Sequence, residues 1–205
     1  MKRAVINFLL GFMFVCVNAQ APVSPSASKA DEQITTTVLV VYYSVTGNTE
    51  KMAQAVAAGA QKITSVIVLV KTPDKVTEDD LKKADAIILG SPTYYGNMSS
   101  QMKVFIDDWF LKYQVSLVNK VGGAFSTGGD ESGGKEHVLY SCVIAMMNAG
   151  MIIVGPVEDF LGTIGVAALD PVSDASLKKA SVLGERAATI ARQFKNGKNK
   201  LREQD

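Results

Sequence analysis

The sequence predicts a three-layer, doubly wound α/β sandwich on a five-stranded parallel sheet, in the order 2-1-3-4-5. Three observations lead there. Short apolar runs alternate with longer amphipathic stretches from about residue 37 to residue 196. The runs are apolar at every position, as in strands covered on both faces. Regular strand-then-helix alternation suits right-handed crossovers onto one parallel sheet, and a two-layer α+β arrangement would break it.

Residues 38–43 (VLVVYY) form the first predicted strand. Met52, Val56 and Ala60 then recur at helical spacing. Residues 65–70 (SVIVLV) are the second strand, and residues 77–80 (TEDD) start a helix, with Thr77 as cap and acids in the first turn. Residues 86–90 (AIILG) are the third strand, followed by a helical stripe of Met98, Met102, Phe105, Ile106, Trp109 and Tyr113. Residues 121–126 (VGGAFS) are the fourth. Val138, Cys142, Ala145 and Ala149 mark the next helix, and residues 151–154 the fifth strand. Leu177, Ala180, Ala187, Ala191 and Phe194 line the last helix.

The chain ends read differently. Lys2 and Arg3 precede an apolar run over residues 4–17, and Val17-Asn18-Ala19 offers small residues at a cut. This is the pattern of an export signal over residues 1–19, too short for a comfortable membrane span. The expected location is exported and periplasmic, with an N-terminal membrane anchor as the alternative and no stable membrane insertion once the signal is removed. Residues 20–36 are rich in Pro, Ser and Ala and read as a flexible tether. Residues 37–196 form one domain, and residues 197–205 a polar tail. Lys2 and Arg3 aside, 19 basic residues face 20 acidic ones, so nothing points to nucleic acid. Beyond the signal only Cys142 remains, so no internal disulfide forms. With His137 as the only histidine, a metal site has no ligand cluster.

In the 2-1-3-4-5 order, ligands bind beyond the carboxyl ends of the strands, near the switch point between strands 1 and 3. Three loops should meet there: residues 44–49 (SVTGNT), 91–98 (SPTYYGNM) and 126–134 (STGGDESGG). The turn at residues 72–76 (TPDKV) is assigned to the opposite end. The first loop opens a helix, whose first amides lack partners and whose dipole is positive there, so an anion is the natural guest. Ser44, Thr46 and Thr49 add hydroxyl donors, Gly47 permits close backbone approach, and Asn48 adds an amide. No lysine lies in the turn, so it is not the loop of nucleotide triphosphatases, nor does it read G-x-G-x-x-G. A phosphate monoester held without a cation fits best. Pro92, Thr93, Tyr94, Gly96 and Asn97 can cup a flat heterocycle. The third loop, with Gly128, Gly129, Gly133 and Gly134, is permissive enough to close over its far side. A phosphate seat with two ring-sized walls points to FMN.

These segments resemble a known family. YYSVTGNTEKMA is similar to the phosphate loop of flavodoxins. GSPTYYGNMSSQMKVFIDD, VGGAFSTGG, GGKEH and NAGMIIVG resemble the flavodoxin-like type IV NAD(P)H:quinone oxidoreductases, related to the tryptophan-repressor-binding protein. The resemblance implies non-covalent FMN and two-electron transfer from NADH or NADPH to a quinone or similar small acceptor. It places the phosphate on Ser44, Thr46, Gly47, Asn48 and Thr49. It places the ring and ribityl chain on Pro92, Thr93, Tyr94, Gly96 and Asn97, with Ser126, Thr127, Gly128 and Gly129 opposite. Three departures stand out. The family's histidine pair before the Gly-Met of strand 5 is replaced by Met147-Asn148-Ala149, residues 71–84 lack the family's insertion, and the chain carries an export signal.

FMN carries its own redox chemistry, so no catalytic side chain is assigned. Two other functions stay open: a one-electron carrier flavodoxin, and a non-catalytic FMN-binding module. Trp109 and His137 read as core and solvated helix residues. The pairs Asp79-Asp80 and Asp107-Asp108 read as solvated surface, since neighbours on a helix do not share a face. Phe160, Leu161 and Ile164 lie in the long segment after strand 5 and would lid the flavin or make a homodimer contact.

Overall fold

A computed structural model describes residues 35–158 and 161–202, the side chains through residue 198. The predicted export signal and most of the tether lie outside the described residues. The elements are β1 (Thr36–Tyr42), α1 (Asn48–Gln61), β2 (Val66–Lys71), α2 (Glu78–Lys83), β3 (Ala86–Tyr94), β4 (Asn97–Met98) and α3 (Ser100–Asp108). They continue with β5 (Val121–Gly128), α4 (Lys135–Asn148), β6 (Ile152–Ile153), β7 (Val157–Glu158), β8 (Leu161–Gly162), β9 (Val166–Leu169) and α5 (Asp174–Arg202).

The main sheet runs β2-β1-β3-β5-β6, all parallel. That is the predicted order. The alternation hidden inside each apolar strand separates two cores. Val38, Val40, Ala86 and Ile88 pack with α1 and α5 on one face. Leu39, Val41, Ile87 and Leu89 pack with α2, α3 and α4 on the other. Trp109 follows α3 in a π-helical turn, is 7% exposed, and meets Phe105 edge to face at 5.8 Å, a core role as expected. α1 and α5 approach through two glycines. A Cβ on Gly59 would lie 1.8 Å from Ser181 O, and one on Gly184 1.9 Å from Val56 O. No larger residue fits at that separation.

The structure departs from the sequence reading at four places. The predicted fifth strand, residues 151–154, narrows to β6, which pairs only Val121 and Gly122 of β5. The rest of that sheet position is filled by β9, which pairs Phe125 to Gly128 after an excursion carrying the β7–β8 hairpin. Four residues of β9 are too short a pattern to stand out. Second, β3 runs on to Tyr94 and turns back into β4 through Tyr95 and Gly96, both at positive φ (49° and 76°), a type I′ hairpin. Third, residues 72–76 lie on the same edge as the three loops, because β2 is parallel to β1 and its exit must share β1's carboxyl end. Tyr43, Pro73, Asp74, Ser100 and Gln101 line a cavity of about 410 Å³ there.

Fourth, Asp80 is not solvated surface. Thr77 Oγ1 accepts the Asp80 N–H at 3.2 Å, and Asp80 Oδ2 accepts the Thr77 N–H and the Lys71 ammonium at 2.8 and 2.6 Å. This is a complete capping box. Burial works to raise the Asp80 carboxyl, but bonds from Lys71 and Thr77 outweigh it and hold the group below the usual carboxylate range. Asp79 and Asp107 do pair with Lys83 and Lys103 in solvent, and His137 is exposed.

Candidate functional site

The carboxyl ends of β1, β3 and β5 bring the three loops together. Thr49 Oγ1 and Thr127 Oγ1 share a buried hydrogen bond of 2.9 Å, tying the start of α1 to the end of β5. Gly96 and Gly134 touch back to back. A Cβ on Gly134 would lie 2.8 Å from Gly96 Cα. Burial pushes the Tyr94 phenol up, and the neighbouring Tyr43 phenol adds to it. Tyr94 stays 42% exposed, a ring available to a guest.

The first loop is built to leave donors free. Ser44 Oγ accepts the Gly47 N–H at 3.1 Å, and Thr46 Oγ1 accepts the Asn48 amide at 3.3 Å. Gly47, at φ 86°, precedes α1, and no side chain caps that helix. The amides of its first turn therefore lack a side-chain acceptor, and a Cβ on Gly47 would meet nothing within 4 Å. Tyr42 donates to Glu50 at 3.1 Å, clamping the loop's two ends. Burial first, then Glu50, pushes the Tyr42 phenol up.

The second and third loops differ in how they use their hydroxyls. Thr93 Oγ1 is buried without a partner, an orphan donor inside the predicted ring site. Pro92 is buried, and Asn97 donates its amide to Tyr95 O at 3.0 Å. Ser126 is fully buried, its Oγ donating to Lys135 O at 2.9 Å and its backbone paired in the sheet between β3 and β9. Gly128 is buried and Gly129 exposed at the strand's end.

Two residues escaped the sequence reading. Lys135, 5% exposed, opens α4 and donates to Asp130 O and Glu131 O at 2.5 and 3.1 Å. Asp170 follows β9, its N–H donating to Gly128 O at 2.9 Å. Its Oδ1 is buried without a partner. Burial pushes its carboxyl up, against the Asn48 amide and the Lys135 charge nearby. The lysine stood in plain sight in GGKEH. Asp170 became visible only once β9 joined the sheet. The one thiol among the described residues, Cys142, is pushed up to about 12 by burial in the α4 core and stays protonated at neutral pH.

Uncapped amides, an orphan hydroxyl and an open aromatic at one carboxyl edge suit a phosphate ester carrying a flat ring. They define a flavodoxin-like α/β binding protein. Residues 36–162 match the family described as NADPH-dependent FMN reductase, and the chain belongs to that family. It is 36% identical over 170 residues to NAD(P)H dehydrogenase (quinone) 3 of Rhizobium meliloti, covering 73% of this chain and 79% of the relative. It is also 36% identical over 172 residues to a flavodoxin of Aquifex aeolicus, covering 81% and 92%. A flavodoxin, WrbA-like protein from Agrobacterium tumefaciens superposes with a TM-score of 0.64 and 34% identity, over 78% of this chain and 99% of that one.

Proposed function

We propose that the protein is an FMN-dependent oxidoreductase that passes two electrons from NADH or NADPH to a quinone or similar small acceptor. The observation that carries this is the glycine-started, uncapped α1 beside an unpartnered Thr93 hydroxyl. The α1 amides, with Ser44, Thr46 and Asn48, hold the phosphate and balance its charge with the helix dipole. Thr93 and Asn97 would hydrogen-bond the ribityl chain and the ring, with Pro92 and Tyr94 as one wall and the backbone at Gly128 and Gly129 as the other. When bound, FMN would supply the two-electron chemistry that links the nicotinamide donor to the acceptor. Tyr94, 42% exposed at this edge, would cover part of the ring. Curated relatives named NAD(P)H dehydrogenase (quinone) support this reading.

The test is anaerobic. NADPH is added to purified holoprotein, and rapid bleaching of the flavin band is expected, followed by recovery on adding a benzoquinone. A band unchanged over minutes sinks the reductase reading. It would favour a one-electron carrier, for which the Aquifex aeolicus flavodoxin is the supporting relative.

Export through residues 1–19 belongs to the same proposal, supported by the charged start and short apolar core. Sequencing the N-terminus of periplasmic protein checks it. A homodimer also belongs to the proposal, and Tyr140, Ile144 and Met147, exposed at helical spacing along α4, offer an apolar face for it. A monomer mass by light scattering removes it.

A further inference from the structure

Lys135 breaks two local rules. It is the first residue of α4, where a cation opposes the helix dipole. It is also 95% buried by its 5% exposure, where an ammonium is costly. A residue wrong for its helix and wrong for its burial has a tertiary reason to be there.

The geometry supplies one. The lysine stem lies beneath Gly128, whose added Cβ would meet Lys135 Cγ at 3.1 Å. The ammonium holds two consecutive carbonyls of the third loop, Asp130 O and Glu131 O. A peptide is planar and trans, so its N–H points opposite its C=O. The Ser132 N–H, opposite Glu131 O, is taken by Asp130 Oδ1 at 2.8 Å. The Glu131 N–H, opposite Asp130 O, is turned away from the lysine. Among the described residues no carboxylate forms an ion pair with Lys135. Asp170 acts on it only through space, and Glu131 and Glu136 are exposed. The positive charge is therefore fixed under the loop and not cancelled by contact.

We propose that Lys135 is a positioning residue that turns the carbonyls of the third loop inward and lends its positive charge to the reduced flavin. This rests on the FMN reading above. A hydride from NAD(P)H, which leaves as NAD(P)⁺, brings two electrons and one proton, so one extra negative charge stays on the flavin until a second proton follows from water. A buried cation beneath the adjoining loop favours that charge.

Two variants separate the two roles. Lys135→Gln keeps a donor but loses the charge, and Lys135→Met loses both. Amide exchange over residues 130–134 is measured on apoprotein, and the two-electron midpoint potential on holoprotein. Exchange is expected to quicken about tenfold in Lys135→Met and to stay slow in Lys135→Gln. Both variants should weaken the preference for reduced over oxidised FMN about tenfold, a potential roughly 30 mV lower. A wild-type potential in Lys135→Gln overturns the charge role, and unchanged exchange in Lys135→Met overturns the loop role. Wild-type protein that binds no FMN sinks the functional reading and the charge role together, while the apoprotein exchange still decides the loop role. Far-ultraviolet circular dichroism guards against unfolding of Lys135→Met; if that variant fails to fold, Lys135→Gln still decides the charge role, and Lys135→Ala, which also lacks the donor, decides the loop role by the same exchange measurement.

Discussion

The helices of this protein begin in two ways. α2, α3 and α5 start behind Thr77, Ser99 and Ser173, whose hydroxyls accept amides of the first turn at 3.2, 3.3 and 3.2 Å. α1 and α4 start behind Gly47 and Gly134, at φ 86° and 92°, with no side-chain cap. The capped starts satisfy themselves and serve the fold. The uncapped starts both open at the carboxyl edge where the three loops meet. A helix N-terminus left without its own acceptor, on the binding edge of a doubly wound sheet, is a vacancy in hydrogen bonding that a ligand can fill. Each helix start presents the same set of first-turn amides. What differs is whether the chain answers them itself.

That contrast can be broken from either side. Asp80→Ala removes the α2 capping box together with the Lys71 ion pair and should cost about 2–3 kcal/mol in urea unfolding. It should leave FMN affinity of the folded protein unchanged. Because the Asp80 carboxyl is held low in the folded state, its contribution is present above the usual carboxylate range. It fades as pH falls through the depressed value, so the variant and wild type should converge in acid. Thr49→Val strands the buried Thr127 hydroxyl and should cost about 1–2 kcal/mol while loosening FMN, which joins the two groups' behaviour in one residue.

Gly47→Ala has room for its methyl but not the backbone angle, so the fold should lose only about 1 kcal/mol. FMN affinity, read by quenching of flavin fluorescence, should fall about tenfold. Unchanged affinity would mean that α1 does not seat the phosphate. Asp170→Asn has the smallest effect, a gain well under about 1 kcal/mol. The sign follows from a carboxyl raised by burial. The folded state holds its proton longer, so wild-type stability drops as pH rises from the usual carboxylate value to the raised one. The variant's advantage should appear across that window, persist above it, and vanish in acid. A constant difference across the pH range would contradict it.

Much of the binding edge was legible because its signals are local. Continuous apolar strands report burial on both faces, and Ser, Thr, Gly and Asn packed between strand and helix report unmet amides. Pro92, Tyr94, Gly96 and Asn97 lay in the right loop, although the hairpin that carries them went unseen, because Tyr95-Gly96 is a weaker type I′ signal than Asn-Gly. Asp80 was misread because adjacent acids look alike in sequence. One points to solvent and the other back to its own cap and to Lys71, a partner on the neighbouring strand. Residues 72–76 were sent to the wrong end although parallel pairing alone puts them at the binding edge.

By itself the sequence determined the fold class, the strand order and the positions of the loops, since periodicity and turn chemistry act over a few residues. Only the tertiary structure decided which helices go uncapped, how β9 completes the sheet beside β5, and that Lys135 and Asp170 are enclosed at the site. Those outcomes depend on groups brought together from distant parts of the chain. Burial, pairing and charge compensation belong to that packing, not to any single stretch of residues.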